Sequence, residues 1–273
     1  MVAVPEPLVD TARMVPSGPL RAAYRLVQPA LEGALRLRAV NRFYNGLRGR
    51  DLRPAPFCED VLERLGVAWE PSAPALEAWR AVPGPCVAVA NHPLGGRDAL
   101  ALVCLLGRLR PDFRVMANFI LGRVPEVKPG LILVDPFGGS GSTAANLGPL
   151  REARRWLGQG GLLGVFPAGE VSAWRDDEAR IADKDWAAQT ARLIQASRAT
   201  VLPLRFPGRN RRRFYWGGRL HPLLRTLQLP AELMDGPCAD LRPVLGDPIP
   251  FEQLPSLEPA ALAAWLRGRV YGL

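Results

Sequence analysis

One of the two histidines in the chain stands where an imidazole can move a proton. His92 follows the apolar run Cys86–Ala90 and Asn91, and precedes Pro93, Leu94 and the pair Gly95-Gly96. Asp98 comes six residues after it. A carboxylate there can fix the imidazole tautomer and stabilise its protonated form, which makes His92 a candidate general base. Asp98 also reads as the N-cap of the helix it opens, so the pair alone does not separate catalysis from capping. Gly95 and Gly96 let backbone approach a substrate closely or adopt positive φ. No G-x-S-x-G elbow is present, so the nucleophile has to come from the substrate. A second polar turn, Phe166-Pro167-Ala168-Gly169-Glu170-Val171-Ser172, also ends an apolar run. Ligands of α/β sheets bind at the carboxyl ends of strands, so two such turns point to one shared site. The plainer reading is a strand–turn–helix junction capped by Ser172.

Other candidates carry less chemistry. Residues 138–143, GGSGST, resemble a phosphate cradle but lack the lysine of a P-loop, so Ser142 or Thr143 reads as a helix cap. His221 precedes Pro222 and reads as structural. Arg205, Arg209, Arg211, Arg212, Arg213 and Arg219 surround Phe214, Tyr215 and Trp216. Basic residues among aromatics suit nucleic acid or lipid headgroups at an interface, and a solvated loop before a strand is the plainer alternative.

The elements that must position these residues follow from periodicity. Leu20, Tyr24, Val27, Leu31, Leu35, Phe43 and Leu47 mark an amphipathic helix with arginines opposite, which Pro29 is expected to break or kink into two segments. Such a basic helix is either membrane-interfacial or an ordinary surface helix. Strands are expected at Cys86–Ala90, Phe113–Ala117, Leu131–Val134, Leu162–Phe166 and Thr200–Leu204, with further candidates at Phe214–Trp216 and Leu241–Leu245. Helices are expected at residues 57–68, within 71–85, and at 98–109, 143–157, 186–198 and 260–271. Alternation of the two predicts an α/β fold with a mixed central sheet flanked by helices. The expected organisation is a helical segment over residues 1–75, possible membrane contact included, and a catalytic domain over 76–273. Residues 1–18 are proline-rich and aperiodic.

Composition bounds the function. The 273 residues are 48% apolar and 22% charged, which excludes intrinsic disorder. The net charge of +9 comes almost wholly from arginine; the lysines are Lys128 and Lys184. Such a chain is drawn to polyanions, and arginine suits carboxylate and phosphate. The four cysteines have no C-x-x-C or zinc spacing, which suggests a reducing compartment and no metal. No signal peptide and no membrane-length apolar run is found, so membrane contact is expected at the cytoplasmic surface.

These residues, in this order, resemble the lysophospholipid acyltransferase family, in the branch that includes hemolysin-like proteins and the acyltransferases of ornithine lipids. Asn91-His92 and Asp98 match the family's first motif, with five residues between histidine and aspartate in place of four. Phe166-Pro167-Ala168-Gly169-Glu170 matches the third, with its glutamate displaced to Glu170, and Val201-Leu202-Pro203-Leu204 the fourth. Val134-Asp135-Pro136 stands where the second motif carries an arginine for an acceptor phosphate. The resemblance implies a glycerol-3-phosphate acyltransferase-like fold. It implies transfer of an acyl group from acyl-acyl carrier protein or acyl-CoA to the hydroxyl of a lysolipid, with no cofactor. His92 would be the base and Asp98 its partner. Asn91, Gly95, Gly96, Arg123, Phe166, Pro167, Gly169, Glu170, Ser172, Arg209 and Asn210 would contact substrate. Backbone N–H groups near Gly95-Gly96 or Gly169 would hold the oxyanion. The missing arginine favours lyso-ornithine lipid over lysophosphatidic acid, with Arg123 or Arg209 as substitutes. The other expected partner is an anionic membrane, on the inner face of the cell membrane, and nucleic acid is not expected. The alternatives are an acyl hydrolase using the same site, or a basic membrane- or nucleic-acid-binding protein without catalysis.

Overall fold

The computed structural model describes residues 7–8, 11, 18–49, 53–135 and 142–273. The Gly-rich loop at 138–141 and most of the proline-rich start lie outside them. In chain order the helices are α1 (Pro19–Ala34), α2 (Leu37–Asn45), α3 (Pro54–Arg64), α4 (Ala73–Arg80), α5 (Arg97–Leu109), α6 (Ser142–Gly158), α7 (Ala188–Ser197), α8 (Arg212–Leu220), α9 (Pro222–Asp235) and α10 (Pro259–Tyr271). The strands are β1 (Cys86–Ala90), β2 (Arg114–Asn118), β3 (Leu131–Val134), β4 (Leu162–Val165), β5 (Ala173–Arg175), β6 (Arg180–Ala182), β7 (Thr200–Arg205) and β8 (Val244–Leu245). The chain divides into two compact units, residues 1–51 with 210–237, and residues 52–209 with 238–273.

The larger unit is an α/β layer structure. Its six-stranded sheet has the order β3-β2-β4-β1-β7-β8. Every pairing is parallel except β7 with β8, so the sheet is mixed. All five residues of β1 are buried, as expected of a central parallel strand covered on both faces. Val87, Val89, Leu163, Val165 and Val201 join residues of α6, α7 and α10 in one core. On the opposite face Gly164 admits α5: a Cβ there would lie 2.6 Å from Leu106 Cδ1. The five expected strands form at or within two residues of the expected bounds. The hairpin β5–β6 has no counterpart among the elements expected from periodicity.

The smaller unit contains α1, α2, α8 and α9. Here the structure corrects two expectations. Pro29 does not break α1; the break falls at Leu35-Arg36, where Arg36 takes φ 59° and its guanidinium makes a two-pronged contact with Asp235 (2.6 and 2.8 Å). Residues 214–216 are helical, not extended. Phe214 and Tyr215 are buried, and of the three aromatics Trp216 alone is exposed. Apolar side chains of α1 stay outside: Leu26, Val27 and Leu31 are exposed, as are Leu220, Leu224 and Leu227 of α8 and α9. Among the described residues no helix is long and apolar enough to cross a membrane.

Candidate active site

The three central strands β4, β1 and β7 run parallel and side by side. Their carboxyl ends therefore lie on one edge of the sheet, and they deliver Phe166, Asn91-His92 and Phe206 there. The side-chain amide of Asn91 ties two of these ends together: Nδ2 donates to Phe206 O (2.9 Å) and Oδ1 accepts from Phe206 N (2.7 Å). Both polar ends of Asn91 thus serve the backbone. The Phe166 ring stacks on His92, with centroids 3.9 Å apart and planes 22° apart.

His92 Nδ1 lies 3.1 Å from Asp98 Oδ2. Asp98 is fully buried, and its carboxylate also accepts from Leu94 N and Ala99 N, each at 2.9 Å. Three donors leave that carboxylate no freedom to turn away from the ring. Gly95 takes φ 85°, a left-handed turn open to glycine, and so accommodates five residues between His92 and Asp98. Asp98 is not the N-cap: Gly96 holds that place and Asp98 sits in the first turn of α5. With Nδ1 engaged, Nε2 is the nitrogen left for a substrate proton. Burial pushes the imidazole pKa down, but the charge and hydrogen bond of Asp98, with the charge of Asp183, outweigh it and hold it above its ordinary value.

Asp183 carries no motif signature in the sequence, yet it anchors the histidine from behind. Its buried carboxylate accepts from the His92 backbone N–H (3.1 Å), from Ser172 Oγ (2.6 Å) and from Trp186 Nε1 (3.0 Å). Its own N–H donates to the Tyr271 hydroxyl (2.7 Å), and its carbonyl accepts from Arg267 (2.7 Å). Ser172 N closes the loop by donating to His92 O (2.8 Å). Burial pushes the Asp183 carboxyl up, against the pull of its three donors. Burial and the Asp183 charge push the Tyr271 hydroxyl up to about 12. In sequence Asp183 reads as one charge in the polar run Asp183-Lys184-Asp185. The available signal is its position between Ile181-Ala182 and Trp186.

The remaining expected residues divide. Ser172 does not cap a helix; it leads into β5 and holds Asp183. The Gly169 N–H donates to Phe166 O (2.9 Å) and so is taken by its own turn. Gly95 and Gly96 have no backbone N–H partner among the described residues, and they open α5, where amides favour negative charge. Pro167 O receives the Ala187 N–H, which fixes the start of α7 (3.0 Å). Glu170 forms a partly exposed ion pair with Lys184 (3.1 Å). Arg123 ends the short turn after β2, two strands away from β1, and is not in contact with the histidine. Arg209 lines a cleft with Asn91, Pro93 and Ser172. Asn210 belongs to the smaller unit, where it is buried and its N–H donates to Tyr215 Oη (2.9 Å).

No family profile matches the chain. Two curated proteins are similar to it. One, the lyso-glycine lipid O-acyltransferase of Phocaeicola vulgatus, is 28% identical over 198 residues, 70% of this chain and 68% of the relative. The other, the lyso-glycine lipid O-acyltransferase of Bacteroides thetaiotaomicron, is 30% identical over 194 residues, 68% of each chain. A histidine–aspartate pair at the carboxyl ends of the central parallel strands, with a likeness spread over two thirds of both chains, leaves one conclusion: this chain belongs to the lysolipid O-acyltransferase family and is an acyltransferase.

Proposed function

We propose that the protein transfers a fatty acyl group from acyl-acyl carrier protein or acyl-CoA to the hydroxyl of a lysolipid, with His92 as general base. The observation that carries this reading is the His92–Asp98 contact of 3.1 Å, clamped by Leu94 N, Ala99 N and the Phe166 ring. Nε2 takes the proton of the acceptor hydroxyl. The oxygen attacks the thioester carbonyl, and the N–H groups of Gly95 and Gly96 face the developing oxyanion. As the tetrahedral adduct collapses, the C–S bond breaks and the imidazolium returns its proton to the thiolate. Asp98 holds the tautomer and stabilises the imidazolium.

The acceptor in this reading is an amino-acid lysolipid. The absence of an arginine at Val134-Asp135 fits a headgroup without phosphate. The names of the two relatives support glycine as the amino acid ahead of ornithine. The enzyme acts as a peripheral protein on an anionic inner membrane face. Exposed Leu26, Val27, Leu31, Trp216 and Leu220 in an arginine-rich unit support that placement.

The test is product analysis by mass spectrometry, with acyl-acyl carrier protein or acyl-CoA and a panel of lysolipids. Wild type should yield a diacylated amino-acid lipid and no free fatty acid when acceptor is withheld. His92→Ala should lose activity by at least ~10³-fold with an unchanged circular dichroism spectrum. Retained turnover in that variant removes His92 from the mechanism.

A further inference from the structure

Beside the catalytic histidine the larger unit contains a cleft of ≈350 Å³ whose role the dyad does not explain. Asn91 and Pro93, the chain neighbours of His92, form part of its wall, with Ser172. Three guanidinium groups line it, those of Arg180, Arg205 and Arg209, and none of its lining residues is acidic. The rest of the wall is apolar or aromatic, with Trp174, Ile181, Phe206 and Tyr271 prominent.

The arginines are not equivalent. Arg180 is neutralised by Glu178 (2.6 and 2.8 Å) and stacks over the Tyr271 ring. Arg205 donates to Leu273 O (3.3 Å), and Arg209 has neither hydrogen bond nor carboxylate partner among the described residues. Arg209 can therefore take an anionic ligand outright, and Arg205, whose Nη1 is held by Leu273 O, can add its remaining N–H groups. The backbone that presents Arg209 is specifically built: Gly208 takes φ 94°, and a Cβ there would meet Cys238 Sγ at 2.7 Å.

We propose that this cleft is the headgroup subsite of the acceptor and that it binds a carboxylate, with Arg205 and Arg209 as its ligands. The assignment deepens the acyl-transfer reading and depends on it for the identity of the acceptor. A guanidinium fork matches a carboxylate in two hydrogen bonds. The apolar wall suits the start of an acyl chain, and the flank of His92 places the acceptor hydroxyl near the base. The surplus positive charge discriminates between headgroups: a glycine carboxylate is a net anion, whereas an ornithine headgroup adds an ammonium that the arginines repel.

The experiment separates binding from chemistry. N-palmitoylglycine carries the carboxylate but no hydroxyl, so it binds without reacting. Its binding is followed by tryptophan fluorescence, since Trp174 lies in the wall, and by calorimetry. Wild type should bind it at least ~10-fold more tightly than its methyl ester and than N-palmitoylornithine. Arg209→Gln and Arg205→Gln should each weaken N-palmitoylglycine ~10- to 100-fold and affect the methyl ester far less. In turnover with N-(β-hydroxypalmitoyl)glycine the same variants should raise KM for the acceptor more than they lower kcat. Binding that ignores the carboxylate or the arginines overturns the proposal, even if acyl transfer is intact. Arginine-dependent binding without transfer to any acceptor overturns the acyl-acceptor reading and leaves a carboxylate site. Displacement of N-palmitoylglycine by coenzyme A, with Arg209→Gln raising KM for the donor, overturns the acceptor assignment in favour of the donor's phosphates.

Discussion

Asp183→Asn tests whether the histidine is held from both sides. The aspartate carboxylate takes three donors: the His92 N–H and Ser172 Oγ on Oδ1, and the Trp186 indole N–H on Oδ2. Asparagine has the same shape but one accepting oxygen. If that oxygen keeps the His92 and Ser172 bonds, the amide NH2 confronts the Trp186 N–H, 3.0 Å from the atom it replaces. One buried donor is left unpaired, at ~1–3 kcal/mol, and two bonds lose their charge assistance. The expected loss of stability is about 2–3 kcal/mol, which is ~4–12 °C in Tm for a unit of this size. Catalysis should respond separately. The His92 backbone is loosened and the imidazole loses a neighbouring negative charge that raises its pKa. Turnover should fall ~10- to 100-fold, since misplacing a catalytic group by an ångström has about that effect. The acid limb of the pH–rate profile should also move to lower pH. Thermal denaturation and a pH series of kcat/KM with purified variant read both. A lower Tm with unchanged profile and rate would make Asp183 a structural residue only. An unchanged Tm would refute the three-donor network itself.

Three further predictions concern the dyad and the turn beside it. A general base works when deprotonated, so the rate should fall as pH drops through the His92 pKa, which lies above the ordinary 6.5. Asp98→Asn removes the charge and the hydrogen bond that raise it. The acid limb should move to lower pH, and the rate should fall on the order of 10³–10⁴-fold as the amide favours the wrong tautomer; a midpoint that stays in place contradicts the dyad. Gly208→Ala forces a side chain onto φ 94° and against Cys238 Sγ, so it should lower stability by ~1–3 kcal/mol in thermal melts. Adding Cys238→Ala should recover the contact part and leave the backbone part; full recovery would show that the turn is not strained.

Much of the α/β frame can be read from the chain because its central strands β1, β4 and β7 are buried on both faces. Such strands appear as short unbroken apolar runs between helices, as in Cys86–Ala90 and Leu162–Val165. Where burial is one-sided or local, the pattern is ambiguous. Phe214-Tyr215-Trp216 has the aromatic content of a strand, but Phe214 and Tyr215 turn into their own unit on a helix while Trp216 stays outside. Pro29 predicts an end to α1 because it lacks a donor, yet the turn comes where Arg36 can adopt a left-handed conformation and reach Asp235. That choice depends on a residue 199 positions away, which no local pattern contains.

The site shows the same division between what strand ends carry and what the chain brings back to them. His92, Asp98 and Phe166 are visible in the sequence because each lies within a few residues of a buried strand, and adjacent parallel strands must present such residues on one edge. Asp183 comes from the end of the β5–β6 hairpin, and its partners lie at residues 92, 172, 186 and 271. Its role arises from burial: in water the carboxylate of an Asp-Lys-Asp run would be solvated, but here it accepts from three donors of the protein. The hairpin also delivers Trp174, Arg180 and Ile181 to the cleft wall. In the proposed reading the β5–β6 hairpin therefore serves both the base and the acceptor cleft. Its closing residue holds the base, and its strands border the space beside it. A change in hairpin length or register should alter acceptor choice and histidine geometry together, whereas changes at Arg209, which comes from the β7 side, should alter acceptor choice alone.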